Sequence, residues 1–428
     1  MYWTLLKSFS MRGYLSTGRK LAYLGALALV VASMFMFGAD KSEAAAGSYI
    51  DLDNHASQKA LSAGREDRVV VRRGTARLGP SPHRSGSLYW GRLTSKVYRP
   101  STKFDTVVPS WNARTPAGTF IKMQVQVFSG GNWSRWFNMG VWAQGARDVK
   151  RRSINGQDTS RWQVNTDTLQ SKGRVFASAY RYRATLYTKK RSASPRINAL
   201  SFVSSNSYRH GSSLDIPPLK RAWGKDLRVP VRSQMVYSQG EAWCSPTTLS
   251  MIMAYWANKT GRRGLNQTVP TVARGVYDHT YRGWGNWSFN TSYAASKGLS
   301  ARVSRFSQLA QIERWTDMGI PVTVSIAWDN RTGIYGTKYR LVGAPLQRSN
   351  GHILLVRGFT KSGHVIVNDP AASGKSGVRR VYRRNEFARA WLKNHANRYG
   401  NYGNGGVVYL VYPTGKRIPY QYAARGSW

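Results

Sequence analysis

The chain has one cysteine, Cys244, in 428 residues. A lone thiol excludes an internal disulfide, so stability has to come from packing. It also leaves no multi-cysteine metal site, and the seven histidines are scattered rather than spaced as ligands. No metal and no cofactor are expected. Acidic residues are scarce as well: 19 Asp and Glu stand against 64 Lys and Arg, a formal charge of +45. Such a field draws polyanions and weakens with salt. The cations are spread along the chain and form no nucleic-acid motif, so no specific nucleic acid is expected. Anionic cell-wall polymers and anionic lipids fit the charge better. Disorder is excluded by 41% hydrophobic and 12% aromatic residues.

Only one long apolar run exists, and it lies at the start. Lys7, Arg12, Arg19 and Lys20 precede the stretch Leu21 to Ala39, and Ala44-Ala45-Ala46 follows. This is the pattern of a signal peptide over residues 1–46, with an uncleaved membrane anchor as the competing reading. Either places the remainder outside the cytoplasm, as a secreted or wall-associated protein.

About 380 residues remain, enough for two domains. Residues 47–86 carry Arg65, Arg68, Arg72, Arg73 and Arg77 with Gly79-Pro80-Ser81-Pro82, and read as a basic linker or arm. From 87 to 203 the pattern is β. Ile121, Met123, Val125 and Val127 alternate with polar residues, and Gly130-Gly131-Asn132 makes a turn before Trp133. Short strands without a helical interruption predict an all-β sandwich, jelly-roll-like. Trp111, Trp133, Trp136 and Trp142 either fill its core or present flat faces to carbohydrate. Residues 204–226 read as a second linker, 227–415 as an α+β domain, and 416–428 as a basic tail. In the α+β part, helices are expected over 245–258, 308–318 and 386–394. Strands are expected over 321–326, 353–359, 364–368 and 406–412.

Cys244 stands at the head of the first of those helices. A thiol is a useful nucleophile only as thiolate, which a helix N-terminus and a neighbouring imidazolium favour. The alternative is a buried, inert cysteine. Among the histidines, His352 follows Ser349-Asn350-Gly351 and opens the most apolar strand, a place from which an imidazole can enter a cleft. Asp369 ends the next strand, 17 residues on, and an antiparallel turn returns it to His352 as the orienting carboxylate. Asn368 faces the other side of that strand. The Cys244 backbone N–H is one oxyanion donor, and Gln234 or Gln239 supplies the other, with Gln234 preferred. Trp284 and Trp287 could wall a groove.

Val229-Pro-Val-Arg-Ser-Gln, Trp-Cys-Ser-Pro-Thr-Thr-Leu-Ser-Met, Gly-His-Ile-Leu-Leu-Val-Arg-Gly-Phe and Val-Asn-Asp-Pro together resemble the secreted, peptidase-like relatives of the bacterial double-glycine leader peptidases. Those are papain-like cysteine peptidases. The likeness spans residues 227 to 413 and implies a papain-like domain with Cys244 as nucleophile, His352 as base, Asp369 as orienter and the upstream Gln as oxyanion donor. Here Cys244-Ser245 replaces the usual Cys-Gly, the Gln stands further from the Cys, and no transporter is attached, so leader cleavage is not implied.

The reading is an α+β, papain-like thiol hydrolase preceded by an all-β domain, acting on a peptide or protein amide bond through an acyl-enzyme. Two alternatives stand beside it. One is acyl transfer to an amine, as in transglutaminase-like folds. The other is a wall- or polyanion-binding protein with an inert papain-like domain.

Overall fold

A computed structural model describes residues 49–145, 147–208, 216–331, 340–392, 394–397, 400–403 and 405–419. The leader 1–46, residues 209–215 of the expected second linker and residues 420–428 of the tail lie outside the described residues.

The N-terminal half is a β domain. Its strands are β1 (Ile50–His55), β2 (Arg65–Asp67), β3 (Val69–Arg72), β4 (Thr75–Leu78), β5 (His83–Ser85), β6 (Leu88–Thr94) and β7 (Thr106–Arg114). They continue with β8 (Thr119–Ser129), β9 (Asn132–Trp133), β10 (Phe137–Trp142), β11 (Trp162–Asn165), β12 (Thr168–Ser171), β13 (Ala179–Thr188) and β14 (Arg196–Ser205). One sheet runs β11-β12-β7-β14-β4-β3, with β1 also on β14. The other runs β10-β8-β13-β6-β2, with β5 on β6 and β9 on β8. Alternation explains the layers: the inward residues of β8, Ile121, Met123, Val125 and Val127, are buried. Tyr182 of β13 stacks on Phe202 of β14 at 4.5 Å, which joins the two sheets across one core.

The expected arm over 47–86 is corrected. Five strands lie in it, and β1 pairs with β14 from Ile50↔Ser205 to His55↔Leu200. Val69, Val71 and Ala76 point inward, while Arg65, Arg68, Arg72, Arg73 and Arg77 are all exposed. The arginines reach solvent from β2, β3, β4 and the turns between them, and they masked the inward alternation.

The second half carries α2 (Cys244–Thr260), α3 (Val269–Val276), α4 (Trp287–Ser296), α5 (Leu309–Asp317) and α6 (Arg384–Leu392). A short α1 (Gln58–Leu61) belongs to the β domain. The strands are β15 (Leu299–Arg305), β16 (Val322–Asp329), β17 (Arg348–Phe359), β18 (Val365–Asn368), β19 (Arg379–Tyr382), the small hairpin β20 (Asn394–Asn397) and β21 (Gly400–Gly403), and β22 (Val407–Pro413). The main sheet is antiparallel with order β15-β22-β16-β17-β18-β19. Helix α2 is buried from Ser245 to Ala257 and packs on β17. The architecture is α+β with an N-terminal β domain.

The second expected linker is also corrected in its described end. Glu313 of α5 is fully buried and accepts from the Leu219 N–H at 2.6 Å and the Trp223 Nε1 at 2.9 Å, and it pairs with Arg384 at 2.7 Å. Residues 216–226 are therefore built into the α+β half.

The two halves form one compact unit over residues 47–428. Helix α4 is the wedge between them. Every residue from Ser288 to Ser296 is buried. Ser288 Oγ donates to the Pro109 carbonyl at 2.6 Å and Ser292 Oγ to the Trp111 carbonyl at 3.1 Å. Phe289 packs against Trp111 and Trp142, which are both buried and cannot offer a face to a sugar. Trp133 and Trp136 are half-buried instead, with Arg181 and Arg183 over their rings at 4.6 and 4.0 Å.

Candidate active site

The chain reaches Cys244 through a tight turn. Gly240–Ala242 form one 3-10 turn, and the Trp243 N–H donates to the Gly240 carbonyl at 2.8 Å. Only glycine fits at 240, because a Cβ there would lie 1.8 Å from the Gln234 carbonyl oxygen. Cys244 then begins α2, with Pro246 in the first turn where its missing N–H costs nothing. Thr248 Oγ1 donates to the Ile353 carbonyl at 3.1 Å, which fastens this end of the helix beside His352.

His352 lies on β17 opposite Ile326 of β16. Its Nε2 is 2.8 Å from Asp369 Oδ1, and the imidazole is near enough to the Cys244 thiol for the two groups to shift each other's ionisation. With Nε2 engaged by the carboxylate, Nδ1 is the nitrogen left for the sulfur. The Trp328 ring meets the imidazole edge-on at 5.6 Å. Asp369 follows β18 and is wholly buried. Its Oδ1 also accepts from the Ala371 N–H at 3.0 Å, and its Oδ2 accepts from the Tyr382 hydroxyl at 2.7 Å. The neighbouring Asn368 points elsewhere: its Oδ1 accepts from Arg357 Nη1 at 3.0 Å and its Nδ2 donates to the Pro230 carbonyl at 3.2 Å.

These contacts set the charges. Burial pushes the Cys244 thiol up, but the hydrogen bond and charge of His352, with the Ile353 and Ser245 N–H groups, more than offset it and leave the thiol below its usual value. Burial disfavours the imidazolium of His352, and the adjacent Asp369 carboxylate and Cys244 sulfur outweigh that, so its pKa is raised. Burial likewise works against the Asp369 carboxylate, which His352, Tyr382 and the Ala371 N–H hold below the usual range. Every shift favours the same microstate, thiolate beside imidazolium beside carboxylate.

Gln234 differs from the expectation of a free oxyanion donor. Its Nε2 donates to the Gly240 carbonyl at 2.7 Å and the Glu241 carbonyl at 3.0 Å, which engages both amide hydrogens. Its backbone N–H donates to the Pro370 carbonyl at 2.8 Å. Gln234 thus ties the turn before Cys244 to the turn after Asp369. Gln239 is exposed at the start of the 3-10 turn.

A cleft of about 1010 Å³ opens at Cys244, and Trp284 and Trp287 line it with Asn350 and Gly351. Sequence reasoning missed Tyr382 and Trp328. Neither carries a local signal, since each reaches the site only through the register of β19 on β18 and of β16 on β17.

Residues 45–205 match the family described as Peptidase C39 N-terminal domain, and residues 226–398 match the Peptidase_C39 like family. The chain is a relative of the C39 papain-like cysteine peptidases. Among solved structures, it is similar to a C39-like peptidase from Bacillus anthracis at 15% identity and a TM-score of 0.30, covering 45% of this chain and 96% of that one. It is also similar to the insecticidal crystal protein Cry2Aa, at 6% identity and a TM-score of 0.16, over 37% of this chain and 22% of that one. At those scores neither adds to the assignment. No curated protein matched the sequence.

Proposed function

We propose that the protein is a cysteine peptidase whose catalytic triad is Cys244, His352 and Asp369. The observation that carries this is the buried His352–Asp369–Tyr382 hydrogen-bond chain, with the Cys244 thiol close enough to the imidazole for each to shift the other's ionisation. In this mechanism His352 holds the thiol proton, and the Cys244 sulfur attacks a peptide carbonyl carbon. The C–S bond forms as the carbonyl π pair moves to oxygen. The Cys244 N–H, free of an intrahelical acceptor at the helix start, faces that oxyanion. Gln234 holds the turn that presents it, and a direct bond from Gln234 to the oxyanion requires its amide to leave Gly240 or Glu241. The His352 imidazolium then protonates the departing amine as the C–N bond breaks. Water, deprotonated by His352, releases the acyl group and restores the thiol.

Export of the chain is part of this reading, supported by the basic, apolar and alanine-rich order of residues 1–46. So is attraction to anionic wall polymers, supported by the charge of +45.

The test is the rate of Cys244 alkylation by iodoacetamide across pH, with His352→Ala beside the wild type. Fast reaction at mildly acidic pH that the variant loses supports the ion pair. Slow and equal reaction in both sinks it.

A further inference from the structure

The cleft at Cys244 is not built by the peptidase half alone. Gln163, Asn165, Asp167 and Gln170 of the β domain line it together with Asn350, Gly351 and Ile353 of the peptidase half. The first four belong to the hairpin of β11 and β12, and β11 is the edge strand of its sheet. The hairpin is held in place from the other domain. Asp167, 5% exposed, accepts from the Trp287 backbone N–H at the start of the wedge helix α4 and from Thr168 Oγ1 at 3.2 Å. The turn carries a sign of imposed shape: Thr166, a β-branched residue, has φ 57°. Such a conformation is uncommon away from constrained sites. Arg305, 5% exposed and also lining the cleft, lies in the combined field of Asp105, Tyr49 and Asp167 of the β domain.

We propose that the β11–β12 hairpin is the far wall of the substrate cleft, that Asp167 is the positioning residue that pins it, and that the occupant is an extended polypeptide. The substrate class rests on the peptidase reading above. A wall of Gln163, Asn165 and Gln170, with Asn165 Nδ2 donating to Gln170 Oε1 at 3.0 Å, still leaves the Gln163 amide, the Asn165 Oδ1 and the Gln170 Nε2 as donors and acceptors, which match main-chain peptide groups better than a large apolar side chain. An edge strand beside a cleft is also a place where an extended chain can lie. At about 1010 Å³ the cleft is at the upper end of small-molecule sites and has room for several residues.

The experiment uses the full chain and two variants, Asp167→Ala and the triple Gln163→Ala/Asn165→Ala/Gln170→Ala. Three readouts are compared: Cys244 alkylation by iodoacetamide, alkylation by a bulky polyethylene-glycol maleimide, and cleavage of denatured casein. The small reagent should react at the wild-type rate in both variants, since neither touches the triad. Asp167→Ala should admit the bulky reagent about fivefold faster, and the triple variant should raise KM for casein about fivefold with kcat held, the mark of lost ground-state contacts. An unchanged bulky-reagent rate in an Asp167→Ala protein with normal iodoacetamide reactivity overturns the wall. If Asp167→Ala does not fold, an unchanged KM in the triple variant overturns it. If the wild type leaves casein intact, the peptidase reading and the polypeptide occupant fall together, and the bulky reagent still decides the wall.

Discussion

Among the described residues, two histidine–aspartate pairs have nearly equal length. His352 Nε2 lies 2.8 Å from Asp369 Oδ1, and His83 Nε2 lies 2.7 Å from Asp67 Oδ1. The side chains of the first pair are 3% and 0% exposed, and those of the second 36% and 30%. The second pair rests on Trp90 and is partly open to solvent. Solvent screens such a pair, and its net contribution is small. The first pair is dry, its carboxylate has a second donor in Tyr382, and its imidazole has a thiol on the other side. Length alone therefore says little. Burial, a third partner and a thiol within reach are what separate the His352–Asp369 pair from a surface one.

The largest effect expected is from Cys244→Ala, which should reduce peptide cleavage to the background rate, measured as turnover of denatured casein. Next is Asp369→Asn, expected to lower kcat on the order of 100-fold, in the range of lost acid–base assistance. The pH profile sharpens that result. Activity in the wild type should rise as pH passes the lowered Cys244 pKa and fall as it passes the raised His352 pKa. Removing the Asp369 charge takes away the larger of the two contributions that raise His352, the other coming from Cys244, so the alkaline limb should move to lower pH. An unmoved limb would break the link between the pair and the thiol. Tyr382→Phe removes one hydrogen bond to a buried carboxylate and should cost about tenfold in kcat. The smallest effect belongs to the other pair: His83→Ala should leave kcat/KM within about twofold and cost under about 1 kcal/mol by denaturant unfolding. A large loss there would erase the contrast.

Much of this site was legible along the chain because its parts sit at ends of elements. Cys244 heads a helix of periodic apolar residues, His352 falls in an apolar strand after Asn350-Gly351, and Asp369 ends the strand joined to it by a tight turn. Each signal is local. What could not be read depends on contacts between distant segments. Helix α4 is the clearest case: Trp287-Ser-Phe-Asn-Thr-Ser-Tyr-Ala-Ala-Ser shows no apolar stripe, because nearly all of it is enclosed and its serines bond carbonyls of the β domain. Gln234 is another. Its place behind the Cys244 turn follows from Gly240, whose bare Cα lets the two backbones meet. The strands between Ile50 and Ser85 were hidden by arginines and by Gly79-Pro80, local features that read as a loop although long-range pairing makes them a sheet.

The pairing of β1 with β14 also orders events in time. Ile50 is made early, and its partner Ser205 comes only after the twelve intervening strands. A contact so distant in sequence forms slowly, because a long loop must close before it is rewarded. The first strand of the domain waits for the last, and until then its edge has no partner to pair with.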